Sequence, residues 1–142
     1  VILNNGHWDF PEQMDPSKYE GFVYIIRDDV LNKLYLGRKN YMKRSKLNPG
    51  ESDWRRYFSS SNALKPQFKE RKYEGFSFYC LEQYKTRSGL AYAETWSLCY
   101  VHAPCHPELW YNTRVEEIAW KIKEKPTERH IQRLDDVRHW RI

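Results

Sequence analysis

The sequence predicts an α+β domain, a small sheet covered by helices. Three observations carry this. Gly21–Tyr41 reads as two strands joined by a short turn. Gly75–Glu82 alternates apolar and polar residues as a third strand does. Apolar residues at helical spacing fill the intervening and following segments, so the order is strand, strand, helix, strand, helix, then further helices.

The elements follow in chain order. Trp8, Phe10, Met14 and Tyr19 lie among Pro11 and Pro16, which oppose regular structure, so the start is an ordered arm whose aromatics pack on the domain. Lys18 and His7 are its basic groups, too few for a phosphate-contacting role. Phe22–Ile26 is apolar and rich in β-branched and aromatic residues. Arg27-Asp28-Asp29 breaks that run, Asn32-Lys33 is turn-like, and Leu34-Tyr35-Leu36 starts a second run closed by Gly37. A hairpin with a loop of about five residues is the economical reading. Tyr41–Leu47 is expected as a short helical turn, ended by Asn48-Pro49-Gly50.

Ser52-Asp53 is expected to cap a helix starting at Trp54, with Trp54 and Phe58 on one face. Ser59–Asn62 is a second break. Ala63–Arg71 follows as a helix, with Leu64 and Phe68 on one face and Pro66 in the first turn. After the third strand, Thr86 or Ser88 caps a helix running from Gly89 to Val101, with Glu94 placed among Leu90, Ala91, Ala93, Trp96 and Leu98. Ala103–Pro107 is a loop and Leu109–Asn112 a short apolar-aromatic stretch. Val115, Ile118, Ala119 and Ile122 give Val115–Glu124 a helical period, which Pro126 stops. Thr127–Trp140 is a last amphipathic helix. The expected organisation is an arm over 1–19, a domain over 20–125 and a C-terminal helical extension over 126–142.

A chain of 142 residues is enough for one domain with one core. Six Trp and eleven Tyr supply that core and also stacking surfaces for bases. A net charge of +5 favours nucleic acid or another polyanion as partner. No apolar run approaches the roughly 18–20 residues of a membrane span, which excludes a helical membrane protein. No basic-then-apolar leader is visible, and the odd, sparse set Cys80, Cys99 and Cys105 argues for a reducing compartment. An intracellular location is therefore expected.

The chemistry centres on the hairpin. Tyr24 and Tyr35 fall near corresponding positions on paired strands, which brings them within reach of each other. Gly37 permits a close backbone approach, and Arg38, Lys39, Lys43, Arg44 and Lys46 follow it. Two phenols beside a cluster of cations suit an anionic substrate such as phosphate. Tyrosines packing one face of a sheet beside a solvated basic surface would leave the same pattern.

Val23-Tyr24, followed eleven positions later by Tyr35-Leu36-Gly37, resembles the paired signature of GIY-YIG nucleases. Phe22 stands in place of the signature's first glycine and Leu36 in place of its isoleucine. The later landmarks of that family also occur in order: Glu94 on the helix after the third strand, and Asn112 in Trp110-Tyr111-Asn112. Ser52–Ser61 and Tyr35–Lys39 are similar to blocks of seg-type phage homing endonucleases. The resemblance covers roughly residues 20–115. It implies a three-stranded antiparallel sheet flanked by helices and a metal-dependent endonuclease that hydrolyses phosphodiester bonds in DNA, and it is compatible with a phage-encoded enzyme acting in the host cell.

The resemblance also implies roles. Tyr24 helps to activate the attacking water and Tyr35 supports it. Glu94 binds Mg²⁺ or Mn²⁺, and no small-molecule cofactor is needed. The catalytic arginine falls about ten residues beyond the second tyrosine in the family, where Ser45 stands here. Arg44 ranks first for that role, then Arg38, then Arg55. Tyr57 takes the family's His/Tyr position and Asn112 fixes backbone or substrate. Lys39, Lys43, Lys46, Arg55 and Arg56 are expected to hold DNA. The active site is expected on the sheet face that carries both tyrosines. A non-catalytic nucleic-acid-binding module with the same fold is the alternative. A third reading, a small zinc-stabilised protein, rests on Cys99, His102, Cys105 and His106, whose spacing departs from the usual zinc patterns.

Overall fold

A computed structural model describes residues 3–142. The first two residues of the expected arm lie outside the described residues. Three antiparallel strands form one sheet: β1 (Gly21–Asp28), β2 (Lys33–Asn40) and β3 (Phe76–Tyr84), in the order β2-β1-β3. Three α-helices accompany them: α1 (Lys65–Arg71), α2 (Arg87–Tyr100) and α3 (Glu128–Arg138). This is the α+β architecture the sequence predicts.

The central strand explains why the sheet has two covered faces. Every residue of β1 is buried. Val23 and Ile25 join Leu34, Leu36, Leu81, Leu90, Leu98 and Leu134 in a core beneath α2 and α3. Phe22, Tyr24 and Ile26 join Trp8, Phe10, Met14, Trp54, Leu64 and Phe68 in a second core on the other face. Alternation along one strand thus feeds two apolar clusters. The arm belongs to the second of them.

Both sheet edges are covered, which removes exposed pairing surfaces. Along β3 the arm adds a parallel bridge: Asp9 N–H donates to the Phe78 carbonyl at 2.8 Å and Cys80 N–H to the Asp9 carbonyl at 3.0 Å. Along β2 the segment Leu109–Asn112 does the same work. Leu34 N–H donates to the Leu109 carbonyl and Tyr111 N–H to the Leu34 carbonyl, both at 2.8 Å. The Tyr111 hydroxyl donates to the buried Asp28 carboxylate at 2.7 Å.

Several local expectations are corrected. The hairpin loop is residues 29–32, and Gly37 lies inside β2 rather than closing it. Tyr41–Leu47 is not helical. Lys43 N–H bonds to the Gly50 carbonyl and Ser52 N–H to that of Tyr41, so the loop ends pair as an irregular hairpin. Only a 3₁₀ turn, Trp54–Arg56, stands where a helix over 54–58 is expected. Asp53 makes no capping hydrogen bond and pairs instead with Lys39 at 3.0 Å.

The largest correction is Val115–Glu124, which is an irregular strap. Side-chain anchors hold it and override its helical period. Glu116 pairs with Arg38 at 2.6 Å, and the Glu124 carboxylate accepts from the N–H groups of Lys85 and Thr86 at 3.0 Å. Thr86 caps α2 through Gly89 N–H at 3.0 Å. Thr127 caps α3 through His130 N–H at 3.1 Å.

Candidate active site

The site begins with Gly37. It pairs with Tyr24 across β1 and β2. A Cβ placed on Gly37 would lie 2.5 Å from the Tyr24 hydroxyl oxygen, so the absent side chain is what lets the phenol lie across β2. Tyr35 pairs with Ile26, which makes it the diagonal neighbour of Tyr24, with ring centroids 6.3 Å apart. Tyr24 is 1% exposed and packs on Trp8 and Tyr57 as well. Tyr35 is half-buried and reaches a cleft of about 840 Å³.

Burial pushes the Tyr24 hydroxyl well above the usual phenol range, and the neighbouring Tyr35 and Tyr57 push the same way. Burial raises Tyr35 too, with the Ser59 side chain opposing it. Both phenols are therefore neutral at pH 7. The Ser59 side chain opposes the rise at both hydroxyls, and its backbone has a φ of 89°, in the left-handed region. The sequence reading treats Ser59 only as part of a loop break.

Arg38 leaves β2 on the α2 side of the sheet. Its Nη1 lies 2.7 Å from Glu94 Oε1 and 2.6 Å from Glu116 Oε2. Glu94 lines the cleft with Tyr35 and Asn112. Burial raises the Glu94 carboxyl above the ordinary range, Arg38 opposes that and Glu116 adds to it. Burial also works against the Arg38 charge, and the Glu116 and Glu94 carboxylates outweigh it, so the guanidinium is raised further.

Asn112 serves the backbone. Leu36 N–H donates to its Oδ1 at 2.9 Å, and its Nδ2 donates to the Leu36 carbonyl at 2.8 Å. The carboxamide replaces a strand partner between Tyr35 and Gly37.

The cleft opens at the β2 edge, not on the tyrosine face alone. Tyr35 reaches it from one side of the strand, while Arg38 and Glu94 meet on the other. Arg44 pairs with Glu20 at 2.9 Å and not with Glu94. A second groove of about 540 Å³ is lined by Arg38, Lys39, Lys43, Arg44 and Tyr57. Lys39 stands 3.9 Å above the Tyr57 ring. Lys46 and Arg56 are exposed nearby in sequence, and Arg55 stacks on Trp54. Glu116 is absent from the sequence reading because its segment reads there as an ordinary helix. Among the described residues no three His, Cys, Asp or Glu side chains gather as a metal cage, and Cys99, His102, Cys105 and His106 are no exception.

The family model described as "Putative endonuclease segE, GIY-YIG domain" matches residues 5–115. The chain belongs to the GIY-YIG family. Its match starts inside the arm, which agrees with Trp8, Phe10 and Met14 being core residues. No curated protein and no solved structure matches the chain. GIY-YIG membership implies nuclease activity, with nucleic acid as substrate. No helix is long and apolar enough to cross a membrane among the described residues.

Proposed function

We propose that this GIY-YIG chain is a divalent-metal-dependent endonuclease that hydrolyses DNA phosphodiesters in the cleft at the β2 edge. The juxtaposition of Arg38 and Glu94 beside Tyr35 carries the reading. A carboxylate facing an open cleft, here with Glu116 beside it, is a donor set that Mg²⁺ or Mn²⁺ accepts, since these ions keep waters and take phosphate oxygens. Glu94 would hold the ion, which supplies charge stabilisation on the phosphate when bound.

The other roles follow from the geometry. Arg38 presents a charged fork for phosphate oxygens. It takes the arginine role in place of Arg44, which is tied to Glu20. Tyr35 meets the cleft and orients the attacking water as a neutral phenol. Tyr24 stands behind it and supports its ring across the strands. This reverses the order the resemblance implies, because Tyr24 is buried. Tyr57 braces Tyr24 and Lys39. Asn112 fixes the β2 backbone under Tyr35. Lys39 and Lys43, with Lys46, Arg55 and Arg56 beyond them, carry the DNA backbone along the basic groove.

Plasmid cleavage with Mg²⁺ or Mn²⁺, comparing wild type with Glu94→Ala, tests the reading. Metal-dependent nicking that the variant loses supports it. Nicking that persists in Glu94→Ala refutes the site, and no cleavage by wild type refutes the activity.

A further inference from the structure

One nitrogen of Arg38 serves two carboxylates. Glu94 is the inner one, with a side chain 17% exposed, and Glu116 the outer one, 44% exposed. The trio carries a net charge of −1 when both carboxylates are ionised, so it repels a phosphate as it stands. Glu116 belongs to the irregular strap over residues 113–127. Besides Glu116 itself, the strap is tied by Thr95 Oγ1 donating to the Glu116 carbonyl at 3.3 Å, by the Glu124 carboxylate at the α2 start, by Thr127 bonded to Tyr84 and Glu82, and by Val115 packed on the α2-side core. The strap also lines the cleft, through Thr113, Arg114, Val115 and Glu116.

We propose, on the nuclease reading above, that Glu116 is an internal stand-in for the substrate phosphate. Its carboxylate occupies the Arg38 guanidinium, and the strap must release it before a phosphodiester binds there. Carboxylate and phosphate oxygens compete for the same fork. A half-exposed ion pair is weak and screened by salt, so a polyanion that also engages the basic groove displaces it. Glu94 stays in place because it is the less exposed of the two and belongs to α2. Glu116 therefore selects for ligands that pay its displacement through several phosphate contacts, and against isolated anions.

The test is fluorescence anisotropy of a labelled DNA duplex in EDTA, at fixed salt. Five chains are compared: wild type, Glu116→Gln, Glu117→Gln, Arg38→Ala and Arg38→Ala with Glu116→Gln. Glu117 is an exposed neighbour on the same strap and controls for net charge. Glu116→Gln is expected to tighten binding about three- to fivefold, more than Glu117→Gln, because a competing ion pair is lost. The gain should vanish when Arg38 is Ala. Equal effects of the two glutamines, or a gain that survives Arg38→Ala, would overturn the proposal. Plasmid cleavage separates it from the nuclease reading. Tighter binding without cleavage by any variant sinks the reading and leaves the stand-in, while cleavage with unchanged binding does the reverse.

Discussion

Arg38 on β2 and Glu94 on α2 meet at 2.7 Å although 56 residues separate them in the chain. The pair joins the sheet edge to the helix and sets a cation beside the carboxylate that lines the cleft. Neither charge is free in solvent, so removing one leaves the other exposed to the cost of burial.

Arg38→Ala should lower the rate of metal-dependent nicking by about 10²–10³, the usual loss for one preorganised charge-stabilising donor. Arg44→Ala should stay within about threefold of wild type, since it removes only a surface pair. Initial rates on supercoiled plasmid at saturating metal give both numbers. An inactive Arg44→Ala beside an active Arg38→Ala would reverse the assignment.

Asn112→Ala removes both hydrogen bonds to Leu36. About 1–3 kcal/mol of stability should go with them, read as a lower urea midpoint, because the backbone groups lose their partner. Hydrogen exchange at the Leu36 amide should speed up. An unchanged Leu36 amide would remove Asn112 from its backbone role.

Gly37→Ala places a methyl group into the Tyr24 phenol. The cost should be about 1–3 kcal/mol, as for other overpacked sites. Tyr24→Ala takes the obstacle away, so the two substitutions together should cost less than their sum in a urea double-mutant cycle. Additive costs would mean that the ring does not constrain position 37.

His130 sets an acid limit on stability. Its Nδ1 faces the Tyr84 hydroxyl at 2.9 Å and its Nε2 faces Ser97 Oγ at 2.6 Å. Ser97 spends its own proton on the Ala93 carbonyl, so Nε2–H is the donor and the ring is neutral. Burial lowers the His130 pKa from 6.5 to about 3. The unfolded chain therefore takes the proton first. The contribution is full above pH 6.5 and is lost as pH falls toward 3, at about 1.4 kcal/mol per pH unit. His130→Gln should flatten the fall in urea stability across that window. His7, lowered to about 4 by burial, keeps part of the slope in the variant. An identical slope in both chains would contradict the burial argument.

Much of the fold was legible because local patterns agree with it. Phe22–Ile26 of β1 is an unbroken apolar run, β3 alternates, and Thr86 stands where a cap is needed. Tyr24, Tyr35, Glu94 and Asn112 were visible as chemistry-bearing residues in order. The errors share one cause. At 41–47, 54–58 and 115–124 a helical period is present, but tertiary bonds bind the backbone otherwise: Lys43 to Gly50, Trp54 into the aromatic core, Glu116 and Glu124 to β2 and α2.

The sequence by itself determined the α+β class, the hairpin with its two tyrosines and the basic character of the chain, because each depends on composition or on residues close together. Only the tertiary structure decided which arginine meets Glu94, which tyrosine faces the cleft and what Asn112 holds. It also brought in Ser59 and Glu116. Those outcomes depend on strand register and on contacts between distant segments, where one position along β2 turns a side chain to the opposite face.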